Sequence, residues 1–253
     1  MMKRLLTSLV VLAAMAGSAN AQVMQVGRSD SRNLIGFSFG KLWVNGSDPC
    51  FPGDTTDCGR VDDDTIVANL RATDPLLFEL GEFDGFTFGG EWLYGVTNYL
   101  ETGVGVGYYK RTVPSIYRDV VHEDGFEIAQ DLRLRMVPIT ATVRFLPLGR
   151  GAAVEPYIGG GVGFINWSYK ESGEFVDSAT GDVFLAQYEA DGTAVGPVIV
   201  GGVRFPVGDA FTIGGEYRWQ KAKADTNRLE SELLGDRIDL GGQSLNFTMH
   251  FRF

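Results

Sequence analysis

The sequence predicts an all-β fold: an eight-stranded antiparallel up-and-down transmembrane β-barrel with short periplasmic turns and long extracellular loops. Three observations carry the prediction. The C-terminal run alternates strictly, with Leu245, Phe247, Met249, Phe251 and Phe253 set against Ser244, Asn246, Thr248, His250 and Arg252. A period of two places apolar side chains on one face of a strand and polar ones on the other. The same pattern recurs along the chain. Finally, the N-terminus reads as an export signal, with Lys3 and Arg4 ahead of an apolar stretch from Leu5 to Ala16 and a small-x-small cleavage site at Ala19-Asn20-Ala21.

Residues 1–21 are therefore expected to leave as a signal peptide, and residues 22–253 to form one β-barrel domain. The apolar stretch of about 12 residues is too short to stay as a membrane anchor. Residue 22 is Gln22, so lipoprotein processing is not indicated. Loss of Lys3 and Arg4 takes the formal net charge from −10 to −12. Such an acidic balance argues against nucleic acid or anionic lipid as partners. No later segment offers the roughly 18 apolar residues of a membrane helix, so spanning falls to strands closed into a barrel. Glycine supplies 34 of 253 residues, nearly twice the usual ~7%, without a collagen period.

Cys50 and Cys58 lie close together in a polar stretch. In an oxidising compartment they are expected to form a local disulfide that staples a loop. His122 and His250 are both distant in sequence, so a metal pair is disfavoured; no metal and no cofactor is expected.

Eight strands follow in order. The first, about Asn33 to Asn45, sets Ile35, Phe37, Phe39 and Trp43 against Gly36, Ser38 and Gly40. The second, Gly85 to Tyr94, sets Phe86, Phe88, Trp92 and Tyr94 against Thr87, Gly89 and Glu91. A short turn leads to the third, Tyr99 to Arg111, where Leu100, Val104, Val106 and Tyr108 alternate with Glu101, Gly103, Gly105 and Gly107. The fourth, Ile128 to Leu146, carries Leu132 and Leu134 in even register, then Val137, Ile139, Ala141, Val143 and Phe145 in odd register. A bulge near Met136 to Pro138 would reconcile them. The fifth, Val154 to Tyr169, pairs Ile158, Val162 and Phe164 with Tyr157, Gly159, Gly161 and Gly163. The sixth, Ala194 to Phe205, shows Val195, Ile199, Val203 and Phe205. The seventh alternates Phe211, Ile213, Tyr217 and Trp219 with Thr212, Gly214, Glu216, Arg218 and Gln220. The eighth is the C-terminal run.

Connections alternate in length: about 39, 16, 24 and 20 residues for one end and four to seven for the other, the asymmetry of outer-membrane barrels. Both termini then fall on the short-turn side. Aromatic residues at strand ends, among them Trp43, Trp92, Tyr94, Tyr108, Phe145, Phe211 and Trp219, suit the two headgroup girdles.

An eight-stranded barrel is only wide enough to be filled by side chains, so large inward residues need small neighbours. The inward glycines make room for Glu91, Glu101, Arg144, Arg204, Glu216, Arg218, His250 and Arg252. Buried charges must pair, and the guanidinium fork suits carboxylate in a tight space. The cluster reads as an interlocked ionic core; a selectivity filter or a catalytic acid pair are the alternatives. Lys41 falls in the outward register, which is compatible with the outer interface or with a local bulge that turns it inward.

Pro156-Tyr157-Ile158-Gly159-Gly160-Gly161-Val162-Gly163, Gly214-Gly215-Glu216-Tyr217-Arg218 and the terminal Phe247-Thr248-Met249-His250-Phe251-Arg252-Phe253 resemble the small outer-membrane β-barrel family of diderm bacteria, the OmpA-, OmpX- and OmpW-like barrels. The resemblance implies a bacterial outer-membrane location. It also implies that Phe253 closes an assembly signal read by the barrel-assembly machinery; as the sequence ends there, the periplasmic peptidoglycan-binding domain that some relatives append is not expected.

Three functions are weighed. The leading one is a non-enzymatic barrel with an envelope-structural or surface-interaction role carried by extracellular loops, contacting outer-membrane lipid, behaving as a monomer, binding no nucleic acid, and meeting an unidentified extracellular partner. Its first long loop holds the cysteines, Asp62-Asp63-Asp64 and an apolar stretch from Ile66 to Leu80 that loosely suits a short helix interrupted at Pro75. The second is a narrow channel or a transporter of small, even apolar, molecules, with Leu132, Leu134, Ile165 and Trp167 lining an inner pocket if the register shifts. The third is a lipid-modifying enzyme, which needs a base-activated nucleophile. His122 and His250 are the histidine candidates and neither has a serine partner in sequence, so no catalytic residue is assigned.

Overall fold

The computed structural model describes residues 32–44, 76–78, 80–177, 179–226 and 237–253. The signal peptide, Cys50, Cys58 and the Asp62–Asp64 run lie outside these residues.

Eight strands run antiparallel around a closed ring: β1 (Asn33–Val44), β2 (Gly85–Gly95), β3 (Leu100–Val121), β4 (Glu127–Phe145), β5 (Glu155–Val176), β6 (Val183–Val207), β7 (Phe211–Gln220) and β8 (Gly242–Arg252). Each pairs with its sequence neighbours, and β1 pairs with β8 from Leu34↔Arg252 to Val44↔Gly242 to close the barrel. No edge is left within the membrane, which satisfies every backbone group there. The turns at the end bearing the termini are short. The one between β6 and β7 closes around Gly208, whose φ of 71° is a conformation that side-chain-bearing residues rarely adopt.

The outer face is apolar throughout the spanning part: Phe37, Phe39, Phe86, Phe88, Val104, Val106, Ile139, Ile158, Val195, Ile199 and Leu245 are all exposed. Phe39 packs on Phe247, Phe88 on Tyr108, and Phe211 on Phe251, with ring centroids 5.2 Å apart in each pair. These are cross-strand aromatic contacts of the kind that fix sheet register.

Strand lengths divide the wall. β1, β2, β7 and β8 have 12, 11, 10 and 11 residues, close to the 9–11 that cross a bilayer. β3 to β6 have 22, 19, 22 and 25, so they rise well above it as a four-stranded sheet. Two of the expected long loops are therefore mostly strand. Only residues 122–126 join β3 to β4, and 177–182 join β5 to β6. The sequence signal weakens there because the extensions lack a lipid face, and their outward positions carry charge.

The bulge expected at Met136–Pro138 is absent. β4 keeps one register against β5 from Gln130↔Gly173 to Phe145↔Ile158, and its inward residues are even throughout: Ile128, Gln130, Leu132, Leu134, Met136, Thr140, Thr142 and Arg144, all buried. The apparent flip arose because the inner face itself changes from polar to apolar along the strand. The irregularity in this part of the wall lies instead between β3 and β4 at their distal end, past Ile116.

Above the spanning part, the inner face of the raised sheet is roofed. Leu76–Leu77 adds to β3 opposite Tyr117 and Ile116, where a short helix was expected, and a 3-10 turn follows at Leu80–Phe83. Lys223–Asp225 pairs with Arg237–Asp239 on the opposite side. Lys41 sits near the extracellular end of β1, pointing outward. Its Nζ is 3.7 Å from Asp84 and 5.4 Å from the Trp43 ring centre, so it lies at the interface and no bulge turns it in.

Candidate functional site: the lumen

Parity decides what enters the lumen. In β2 the inward series ends Glu91, Leu93; in β3 it starts Glu101, Gly103, Gly105, Gly107; in β4 it ends Thr140, Thr142, Arg144. Glycine on one strand admits the large side chain of the next. A Cβ at Gly36 would run into the His250 ring, one at Gly159 into Arg144 and one at Gly202 into Tyr157.

All eight predicted lumenal residues meet in two linked ionic groups in the periplasmic half. In the first, Arg144 makes a fork to Glu91 (Nη1–Oε1 3.0 Å, Nη2–Oε2 2.6 Å) and reaches Glu216 Oε2 at 3.0 Å. Glu216 also accepts from Arg218 at 2.9 Å and from the Tyr157 hydroxyl at 2.9 Å, and His250 Nε2 lies 2.8 Å from Glu91. In the second, Arg204 bonds Glu101 at 2.8 Å and approaches Glu155 at 3.5 Å, while Arg252 bonds Glu155 at 2.5 Å. Arg150, from the β4–β5 turn, lies 3.2 Å from Glu101. Tyr157 joins the groups, because the guanidinium carbons of Arg144 and Arg204 lie over its ring at 5.0 and 5.2 Å.

Glu155 and Arg150 were missed from the sequence. Glu155 shares the odd parity of Tyr157 and Gly159 and was legible; Arg150 sits in a turn where no periodicity exists. With them, four carboxylates meet five guanidinium groups and His250. Arg144, Arg204, Glu101 and Glu155 are fully buried. In so dry a place each charge is tolerated only through its partners.

The extracellular half of the lumen is a hydrophobic core. Leu42, Tyr109, Val113, Tyr117, Ile128, Leu132, Leu134, Met136, Ile165, Trp167 and Tyr169 are buried from the wall, and Leu76, Phe78, Phe83, Ala222, Ile238 and Leu240 pack on them from the roof. The Tyr109 hydroxyl donates to the Phe83 carbonyl, and Arg111 Nε donates to the Glu82 carbonyl at 2.7 Å. Leu132, Leu134, Ile165 and Trp167 thus face inward with no register shift. Between the halves lies a cavity of about 40 Å³ lined by Ser38, Thr87, Glu91, Arg218, Gln220 and Asn246 among others, room for about one water.

His122, at the end of β3, bonds Glu174 of β5 at 3.1 Å. Desolvation is not the leading influence on this half-buried pair. The His122 hydrogen bond, then the Ala129 amide, hold the Glu174 carboxyl below the usual carboxylate range. Among the described residues no group of three or more His, Cys, Asp and Glu is arranged to hold a metal.

The family model of the outer membrane protein beta-barrel domain matches residues 9–253. The chain belongs to that family. It is a bacterial outer-membrane protein with an eight-stranded barrel. It is similar to the outer-membrane protein OprG from Pseudomonas aeruginosa, at 11% identity and a TM-score of 0.51, over 90% of this chain and 98% of that one. Neisserial surface protein A aligns at 13% identity with a TM-score of 0.44, over 87% and 96%. The Ail protein of Yersinia pestis, solved with a heparin analogue, aligns at 14% and 0.39, over 89% and 100%. At such identities the likeness is one of fold. No match to a curated protein sequence was found.

Proposed function

We propose that this protein is a non-enzymatic outer-membrane barrel whose plugged wall serves as a scaffold for an envelope-structural or surface-interaction role above the membrane. The observation that supports it is the filling of the lumen twice over, by the ionic groups below and by the roofed hydrophobic core above. The raised sheet of β3 to β6 then carries the wall well beyond the membrane on the outside of the cell. In single-channel recording and liposome swelling, the purified full chain is expected to pass neither ions nor sugars. A stable conductance would overturn the reading.

A second reading, passage of small apolar molecules, is favoured by the apolar upper lumen around Leu132, Leu134, Ile165 and Trp167. Uptake of an apolar solute into protein-bearing liposomes, lost on filling the core by Ala194→Phe, would support it. A lipid-modifying enzyme fits less well, since among the described residues the histidine rings bond Glu174 and Glu91 and neither bonds a serine hydroxyl that it could activate. His122→Ala and His250→Ala are expected to leave lipid A unchanged in cells.

On this reading the protein is a monomer surrounded by outer-membrane lipid, needs no cofactor, and its extracellular partner is still to be found. Phe253, exposed at the end of β8 with its amide on the Asn33 carbonyl, serves as the recognition point for the assembly machinery. Phe253→Ser is expected to lower the amount of assembled barrel while leaving its structure intact.

A further inference from the structure

The outer face of β3, β4 and β5 changes abruptly above the lipid-facing residues. Val106, Ile139, Phe164 and Val195 form one exposed apolar row. One position further from the periplasm on the same face come Tyr108, Val137, Asn166 and Thr193. The next row places Lys110 directly opposite Arg135, with Ser168 and Asp191 beyond. The row after that places Thr112 opposite Arg133, and Arg133 opposite Lys170, with Glu189 beyond.

Two consecutive cross-strand pairs therefore set cation against cation, an arrangement that destabilises a sheet when nothing offsets it. The neighbouring acids relieve only one side. Lys170 bonds Glu189 at 2.8 Å; the carboxyl of Glu189 is held low first by that bond and then by Ser168, with Arg135 adding a smaller effect. Arg133 Nε reaches only the Thr112 hydroxyl, at 3.3 Å. Among the described residues Lys110, Arg133 and Arg135 form no salt bridge, in contrast to the arginines of the lumen, all of which do. These three cations stand out on a chain of net charge −10, whose overall balance argues against an anionic partner.

We propose that Lys110, Arg133, Arg135 and Lys170 form a binding site for the phosphate-bearing headgroup of the outer-leaflet glycolipid. The occupant follows from position and charge. The patch sits directly above side chains immersed in acyl chains, where a lipid's own phosphates lie. Guanidinium forks on Arg133 and Arg135 suit phosphate oxygens geometrically, and Lys110 adds a point charge. Cross-strand neighbours lie about 5 Å apart and diagonal ones about 7–8 Å, so a single headgroup spans all four. The site depends on the outer-membrane location and is indifferent to whether the lumen conducts.

The test uses the full chain in non-ionic detergent, titrated with bisphosphorylated lipid A, its dephosphorylated form and inorganic phosphate, and read by native mass spectrometry. The bisphosphorylated lipid is expected to bind at least about tenfold more tightly than the other two, with an affinity that falls as salt is raised. K110Q/R133Q/R135Q is expected to abolish that preference; R118Q, an exposed cation elsewhere on β3, is expected to keep it. R133K/R135K should retain most of it, as charge requires and a packing role would not. Should the triple variant lose the gel mobility of a folded barrel, R135Q alone carries the comparison. Equal binding of the dephosphorylated lipid, an unchanged triple variant, an equal loss in R118Q, or saturation by inorganic phosphate at the same concentration would each overturn the proposal.

Discussion

The two halves of the lumen fill the same narrow cylinder with opposite chemistry. Below, Arg144, Arg204, Glu101 and Glu155 are fully buried and owe their place to one another; above, Leu132, Trp167 and Ile165 are equally buried and need only shape. An ionic core gains little net stability over an apolar one, because desolvation offsets most of the attraction, but it is intolerant of losing a member. An apolar core loses stability in proportion to the space left. The halves should therefore fail differently.

Arg144→Ala is expected to do the most damage. It leaves Glu91 and Glu216 buried without their shared cation, at about 3–5 kcal/mol, measured as a lowered urea midpoint for the barrel in detergent. Leu132→Ala in the upper half should cost about 2–5 kcal/mol, and an apolar replacement of similar volume, Leu132→Met, less than about 1.5 kcal/mol. If Arg144→Met proved equally mild, the contrast between the halves would collapse. Arg252→Ala is expected to cost only about 1–3 kcal/mol, because Glu155 keeps Arg204 and accepts from the Gly151 amide at 2.6 Å.

The smallest effect concerns pH. The folded-state carboxyl of Glu174 is lowered, chiefly by the His122 hydrogen bond and then by the Ala129 amide. Its contribution is thus present above the ordinary glutamate range and is lost as pH falls through the lowered value. Amide protection factors at the tips of β3–β4 and β5–β6, taken relative to the intrinsic exchange rate at each pH, should fall on acidification from about pH 6 to pH 3, and Glu174→Gln should lower them at neutral pH. No such change is expected at the lumenal ends of β7 and β8.

The same contrast explains what the sequence disclosed. Where the inner face is polar or glycine, as along Phe247 to Phe253 or Phe211 to Gln220, alternation reveals both faces and their direction. Where the inner face turns apolar, as at Leu132 and Leu134, both parities look like exterior and a false bulge results. The ionic residues on regular strands were readable; Arg150 was hidden by its turn, and the roof formed by Leu76–Phe83 by its distance from the wall it covers. Above the membrane, past the predicted ends at Arg111 and Tyr169, the outward positions carry Arg118, Lys170, Glu189 and Asp191, so strand looked like loop.

Closure of the ring falls to β8, the last strand of the barrel, and two of its inward side chains reach far back along the chain, His250 to Glu91 and Arg252 to Glu155. Until it docks, two carboxylates on earlier strands wait in an unfinished interior short of a partner. A seam joined two residues out of step would keep its apolar exterior in lipid and yet misplace both contacts. These two contacts therefore distinguish the native seam from misaligned closures that greasiness alone would accept.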